Sequence, residues 1–147
     1  MRAIDPPDRR TPMRIPALLA VLAALSAPWP AAAETAMQFR DAFAGEAKRE
    51  NPAFAGPSAQ RGRAFFAATH GKEWSCASCH TPDPVTAGKH AVTGKAIAPL
   101  APGANPERFT SAAKVEKWFR RNCNDVAGRA CTAQEKADIL AWLIAAK

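Results

Sequence analysis

Cys76-Ala77-Ser78-Cys79-His80 is the stretch on which the reading of this chain turns. Two thiols separated by two residues can add across the two vinyl groups of a haem, while the imidazole that follows at once reaches the iron as proximal ligand. The string is shared by two other chemistries. A thioredoxin-like dithiol needs a βαβ setting, and no segment here shows sustained strand alternation. A zinc site would have to recruit Cys123 and Cys131, which lack the two-residue knuckle and which oxidise readily in an exported chain.

Working outward from the motif, Ser58-Ala59-Gln60 opens a helix in which Ala64, Phe65 and Ala68 recur near a 3.6 period, and Gly71 stops it just before Trp74-Ser75-Cys76. Farther upstream, Met37, Phe39, Ala42, Phe43 and Ala47 predict an amphipathic helix within Glu34 to Asn51, ended by Asn51-Pro52. Downstream, Thr81 to Pro106 holds Pro82, Pro84, Pro99, Pro102, Pro106, Gly88, Gly94 and Gly103. That density of breakers predicts a long irregular segment of the kind that wraps something. Thr110 or Ser111 then caps a helix bearing Val115, Trp118 and Phe119. Thr132-Ala133-Gln134-Glu135 is a capping box opening a last helix with Ile139, Leu140, Leu143 and Ile144.

The 147 residues are 48% hydrophobic and 22% charged, which is ordinary for one small globular domain. From Met13 the chain reads as a secretory leader: Arg14, an apolar run from Ile15 to Leu25, and Ala31-Ala32-Ala33 before the cut. The run falls short of the roughly 20 residues that an anchor needs. Residues 1–33, with the true start at Met13 or Met1, are therefore expected to be removed, leaving a single domain over residues 34–147 in the periplasm. Of the formal +7, the leader carries Arg2, Arg9, Arg10 and Arg14 against Asp5 and Asp8, so the remaining chain stays basic. A basic exported protein without a dense Lys/Arg run points to an acidic protein partner and away from nucleic acid.

The opposite axial position of the iron is less legible. Methionine or histidine commonly fills it, yet past residue 33 the one methionine is Met37, upstream of the motif. His70 and His90 remain, both beside glycine turns, with His90 the candidate for a closed bis-His electron carrier. Cys123 and Cys131 can close a short disulfide loop behind Arg120-Arg121-Asn122.

The segments Thr93-Gly94-Lys95, Ile97-Ala98-Pro99-Leu100-Ala101-Pro102, Arg108-Phe109-Thr110, Val115-Glu116-Lys117-Trp118, Arg121-Asn122-Cys123-Asn124, Arg129, Cys131-Thr132 and Glu135-Lys136-Ala137-Asp138 resemble the sphaeroides haem protein family of monohaem class I cytochromes c. The resemblance runs from about Gln60 to the C-terminus. It implies an all-α class I cytochrome c fold around one covalent haem c, held by Cys76 and Cys79 and ligated by His80. It further implies that Asn122 is the ferric sixth ligand and leaves on reduction, opening the iron to oxygen, nitric oxide or carbon monoxide. Cys123 and Cys131 would form a disulfide beside it, and a dihaem cytochrome c or other acidic redox protein would supply electrons.

Helices are thus expected near Ser58 to Thr69, Ser111 to Arg121 and Ala133 to Ala146, with Phe65, Trp118, Leu140 and Leu143 against the haem and the Pro99 carbonyl accepting the His80 Nδ1 proton. No general acid or base stands out beside the site, which favours a carrier or gas binder over an enzyme.

Overall fold

Side-chain oxygens of Thr35, Ser58, Ser75 and Thr132 hold the first turns of four helices. The computed structural model describes residues 34–147, so the leader assigned to 1–33 lies outside the described residues. Thr35 and Gln38 form a reciprocal capping box at the start of α1, Ala36–Glu50, and Ser58 accepts the Arg61 amide to start α2, Ala59–Ala67. Ser75 and Ser78 cap the single turn α3, Cys76–His80. A two-stranded antiparallel hairpin follows, β1 Gly88–Lys89 paired with β2 Ala96–Ile97. The last two helices are α4, Ala112–Ala127, and α5, Ala133–Ala145, the latter opened by the expected Thr132–Glu135 box. Each cap satisfies amide donors that the first turn leaves without an intrahelical partner.

Three details depart from the sequence expectation. Helix α4 runs past Arg121 to Ala127, because no breaker intervenes until Gly128, whose φ of 69° gives the left-handed stop that glycine adopts without steric cost. Ser111 makes no capping bond there; Glu34 Oε2 accepts the Ala112 amide at 2.8 Å instead. The hairpin lies inside the stretch expected to be irregular. Its two-residue strands are too short to show alternation.

Helix α5 packs against both α1 and α2. Phe39 and Phe43 of α1, Val115 of α4 and Ala137 and Leu140 of α5 form one buried cluster. Phe66 of α2 with Ile139 and Leu143 of α5 forms a second, and Phe65, Cys76, Ala77, Leu100 and Trp142 pack against it. Phe109 and Phe119 touch both clusters, so they join the two halves of the core.

The α2/α5 crossing is the tightest point. A Cβ on Gly62 would stand 1.9 Å from the Asp138 carbonyl oxygen, so only glycine lets the backbones meet. The Asp138 carboxylate, buried at the same crossing, accepts from the Ser58 amide at 2.6 Å and from Arg61 Nε and Nη2 at 2.7 and 2.8 Å. Buried charge is tolerable when paired and bonded in this way.

Cys123 near the end of α4 is disulfide-bonded to Cys131, eight residues on, just before α5.

Two stability predictions follow from these contacts. Gly62→Ala should cost about 2 kcal/mol, roughly 10 °C in Tm, read by thermal melting of the haem-loaded protein; an unchanged Tm would contradict the close crossing. Replacing both Cys123 and Cys131 by Ser should cost about 2.5 kcal/mol in urea denaturation, since the short crosslink restrains the unfolded chain.

Candidate functional site

Helix α3 is one turn long, and that turn brings Cys76, Cys79 and His80 together on a short, capped scaffold. Both cysteines are free and half-buried. Cys76 packs on the Phe66, Ile139 and Leu143 cluster. Burial pushes its thiol up to about 11, with the neighbouring Cys79 adding to the rise against a backbone hydrogen bond that lowers it. Cys79 Sγ accepts the Ala91 amide at 3.3 Å from the hairpin. The hairpin lies directly on α3, because a Cβ at Gly88 would meet the Cys79 carbonyl oxygen at 2.1 Å.

His80 is pushed down to about 4, first by burial and then by the positive Arg108. Its ring stands 6.3 Å from that of Phe66. Through the neutral range the imidazole is therefore uncharged, the form that binds metal. A neutral Cys76 thiol and an uncharged His80 imidazole beside an aromatic and aliphatic wall suit the edge and axial face of a porphyrin. A redox dithiol requires the opposite shift, a stabilised thiolate. The zinc alternative loses its donors, because Cys123 and Cys131 are spent in their disulfide. No group of three His, Cys, Asp or Glu side chains is arranged to hold a metal ion among the described residues.

Of the four residues expected against the haem, Phe65 and Leu143 lie in the cluster that includes Cys76. Leu140 is buried in the other cluster, with Phe39, Phe43 and Val115. Trp118 is 47% exposed, and Phe119 instead packs against the motif's cluster. Periodicity alone puts both aromatics on the same broad side of α4, and only the angle at which α4 meets the core selects Phe119. The Pro99 carbonyl has other donors than His80: Asn105 Nδ2 at 3.2 Å and Arg108 Nε at 3.0 Å take its two lone pairs. Arg108 also donates to Ala98 O at 2.7 Å, so this arginine fastens the loop that approaches the motif. Reading by motif gave it no role, because its partners are backbone atoms nine and ten residues away.

The two spare histidines are engaged locally. His70 Nε2 lies 2.8 Å from the Phe65 carbonyl oxygen and its ring stacks on Phe65 with centroids 4.0 Å apart. His90 Nδ1 accepts the amides of Val92 and Thr93 at 3.2 and 3.3 Å, tying the ring into the hairpin turn. Asn122 sits half-buried on α4, one turn after both Phe119 and Trp118, at the border between the face that enters the core and the exposed one. Its carboxamide makes no hydrogen bond among the described residues, and the next residue, Cys123, is anchored by the disulfide.

Comparison with known proteins places the chain in a family. Residues 52–143 match the family described as a domain of unknown function, DUF1924. The cytochrome c-type protein SHP of Cereibacter sphaeroides is 56% identical over 100 residues, covering 65% of this chain and 77% of that protein. The structure of oxidised SHP, described as an oxygen-binding cytochrome c, superposes with a TM-score of 0.67 at 48% identity, over 76% of this chain and 96% of that one. The solution structure of Methylophilus methylotrophus cytochrome c'', presented as bearing on haem-ligand detachment, superposes with a TM-score of 0.68 at 42% identity, over 75% and 92%. The chain belongs to the DUF1924 family and, as a relative of the sphaeroides haem protein, is an all-α monohaem c-type cytochrome with one covalent haem c.

Proposed function

We propose that residues 34–147 form a periplasmic electron-transfer cytochrome whose sixth ligand, Asn122, leaves the iron on reduction and admits a diatomic gas. In this reading Cys76 and Cys79 form the thioethers and His80 is the permanent axial ligand, while residues 1–33 direct export. When bound, the haem supplies a one-electron iron centre with a position open to oxygen, nitric oxide or carbon monoxide in the ferrous state. Asn122 offers a neutral carboxamide oxygen, a weak hard donor that ferric charge holds better than ferrous charge.

The observation that carries the reading is the Asn122 carboxamide itself, half-buried, without a hydrogen-bond partner among the described residues, at the edge of the α4 face that carries Phe119. The disulfide at Cys123 restrains the backbone next to it, so a carboxamide that swings away returns to one place. Oxygen binding in one relative and haem-ligand detachment in the other support a releasable ligand here. Electrons come in this reading from a dihaem cytochrome c or another acidic redox protein.

Absorption spectra of the haem-loaded protein test this. The ferric form should be low-spin, turn high-spin on dithionite reduction and then bind carbon monoxide. Asn122→Ala should leave the ferric form high-spin with the haem still covalently attached; a low-spin ferric variant would remove Asn122 from the iron. His90→Ala should keep the wild-type ferric spectrum, because its Nδ1 belongs to the hairpin turn. Loss of low-spin character in that variant, with a ferrous form blind to carbon monoxide, would indicate a closed bis-His carrier.

A further inference from the structure

Helix α4 has a second face. At about 100° per residue, Trp118, Lys114, Arg121 and Lys117 follow one another round about 100° of its surface, and Asn122 borders the stripe on the Trp118 side. All four side chains are exposed. The other exposed large apolar residues, Met37, Trp74 and Val92, are scattered over separate segments, whereas Trp118 is flanked by cations. Lys117 Nζ stands 5.8 Å and Arg121 Cζ 5.6 Å from its ring.

These charges are weakly compensated. Lys114 and Lys117 have no ion pair among the described residues, and Arg121 faces Asp125 at 3.9 Å with both side chains about 60% exposed (61% and 60%). Glu116, the remaining acid on α4, points to Lys136 of α5 at 3.1 Å. The stripe thus joins an exposed indole to two cations within about 6 Å of its ring. Tryptophan and arginine are the residues that anchor protein interfaces, and a surrounding field of one sign speeds encounter with a partner of the other.

We propose that the stripe Lys114, Lys117, Trp118 and Arg121 is the surface on which an acidic redox protein docks to reduce this cytochrome. The inference rests on the reading in which Asn122 faces the haem, since Asn122 borders the stripe and a partner seated there then lies within one helix diameter, about 10 Å, of the haem. One electron passes from the partner to ferric iron, and the partner is oxidised by one electron.

The test is stopped-flow reduction of the haem-loaded ferric protein by reduced flavodoxin, a small acidic flavoprotein, over a range of ionic strength. The second-order rate constant for wild type should fall about tenfold or more as salt rises. The double variant Lys114→Glu/Lys117→Glu should lose about tenfold at low salt and lose the salt dependence. The control Arg49→Glu/Arg63→Glu, with the same change in charge on α1 and α2, should stay within about twofold of wild type. Equal losses in the two variants would mean that only net charge matters, and no loss in either would mean that the partner does not use α4; both overturn the proposal. Ferric and carbon monoxide spectra of the Lys114→Glu/Lys117→Glu protein should match wild type, confirming an intact haem site. The ligand reading itself stands or falls on the Asn122→Ala spectra, which do not enter this comparison.

Discussion

The contact on which the rest depends is the meeting of α2 and α5 at Gly62 and Asp138. Backbone lies on backbone there, and the Asp138 carboxylate bonds both the first amide of the turn that opens α2 and the Arg61 guanidinium. The pair of contacts sets the distance and the rotation of α2 on α5. Phe66, one turn beyond Gly62, is thereby placed against Ile139, Leu143 and Trp142, and these residues are the floor on which the Cys76 side of the motif rests. A shift in the crossing would move the floor and the motif apart.

Burial then decides the chemistry of the motif. The same short turn carries a thiol held in its neutral form and an imidazole that stays unprotonated, and in both cases removal from water is the leading cause. Such a site is poor at thiolate chemistry and suited to holding a large apolar cofactor by its edge while presenting an uncharged imidazole to the metal. Arg108 contributes twice: its charge opposes protonation of His80, and its bonds to the Ala98 and Pro99 carbonyls brace the loop leading to Phe109. Phe109 holds a left-handed φ of 57°, uncommon for an aromatic residue, while its ring joins the two clusters.

Helix α4 is one rigid body with two tasks in the proposed scheme. Its inner face puts Val115 into the core, Phe119 between the clusters and Asn122 beyond them, and its outer face presents Trp118 among cations. Because the helix is continuous to Ala127 and is crosslinked at Cys123, the proposed ligand and docking surface are held in fixed relation.

Spacing along the chain was enough to show the Cys76-Ala77-Ser78-Cys79-His80 motif, the caps at Ser58 and Thr132, and the helical periodicities, because each is a local property of a few consecutive residues. Asn122 came from resemblance: no rule of spacing singles out an amide among the polar residues of a helix. The end of α4, the hairpin at Gly88 to Ile97 and the choice of Phe119 over Trp118 came only with the tertiary structure. So did the exclusion of Leu140 from the motif's cluster and the other partners of the Pro99 carbonyl. The physical reason is the same in each case. Periodicity gives a helix an apolar side about 100° wide or more, and where on that side a given residue lands depends on how the helix is rotated against its neighbours. That rotation is set by contacts between residues far apart in the chain, such as Gly62 with Asp138, which sequence spacing does not reveal.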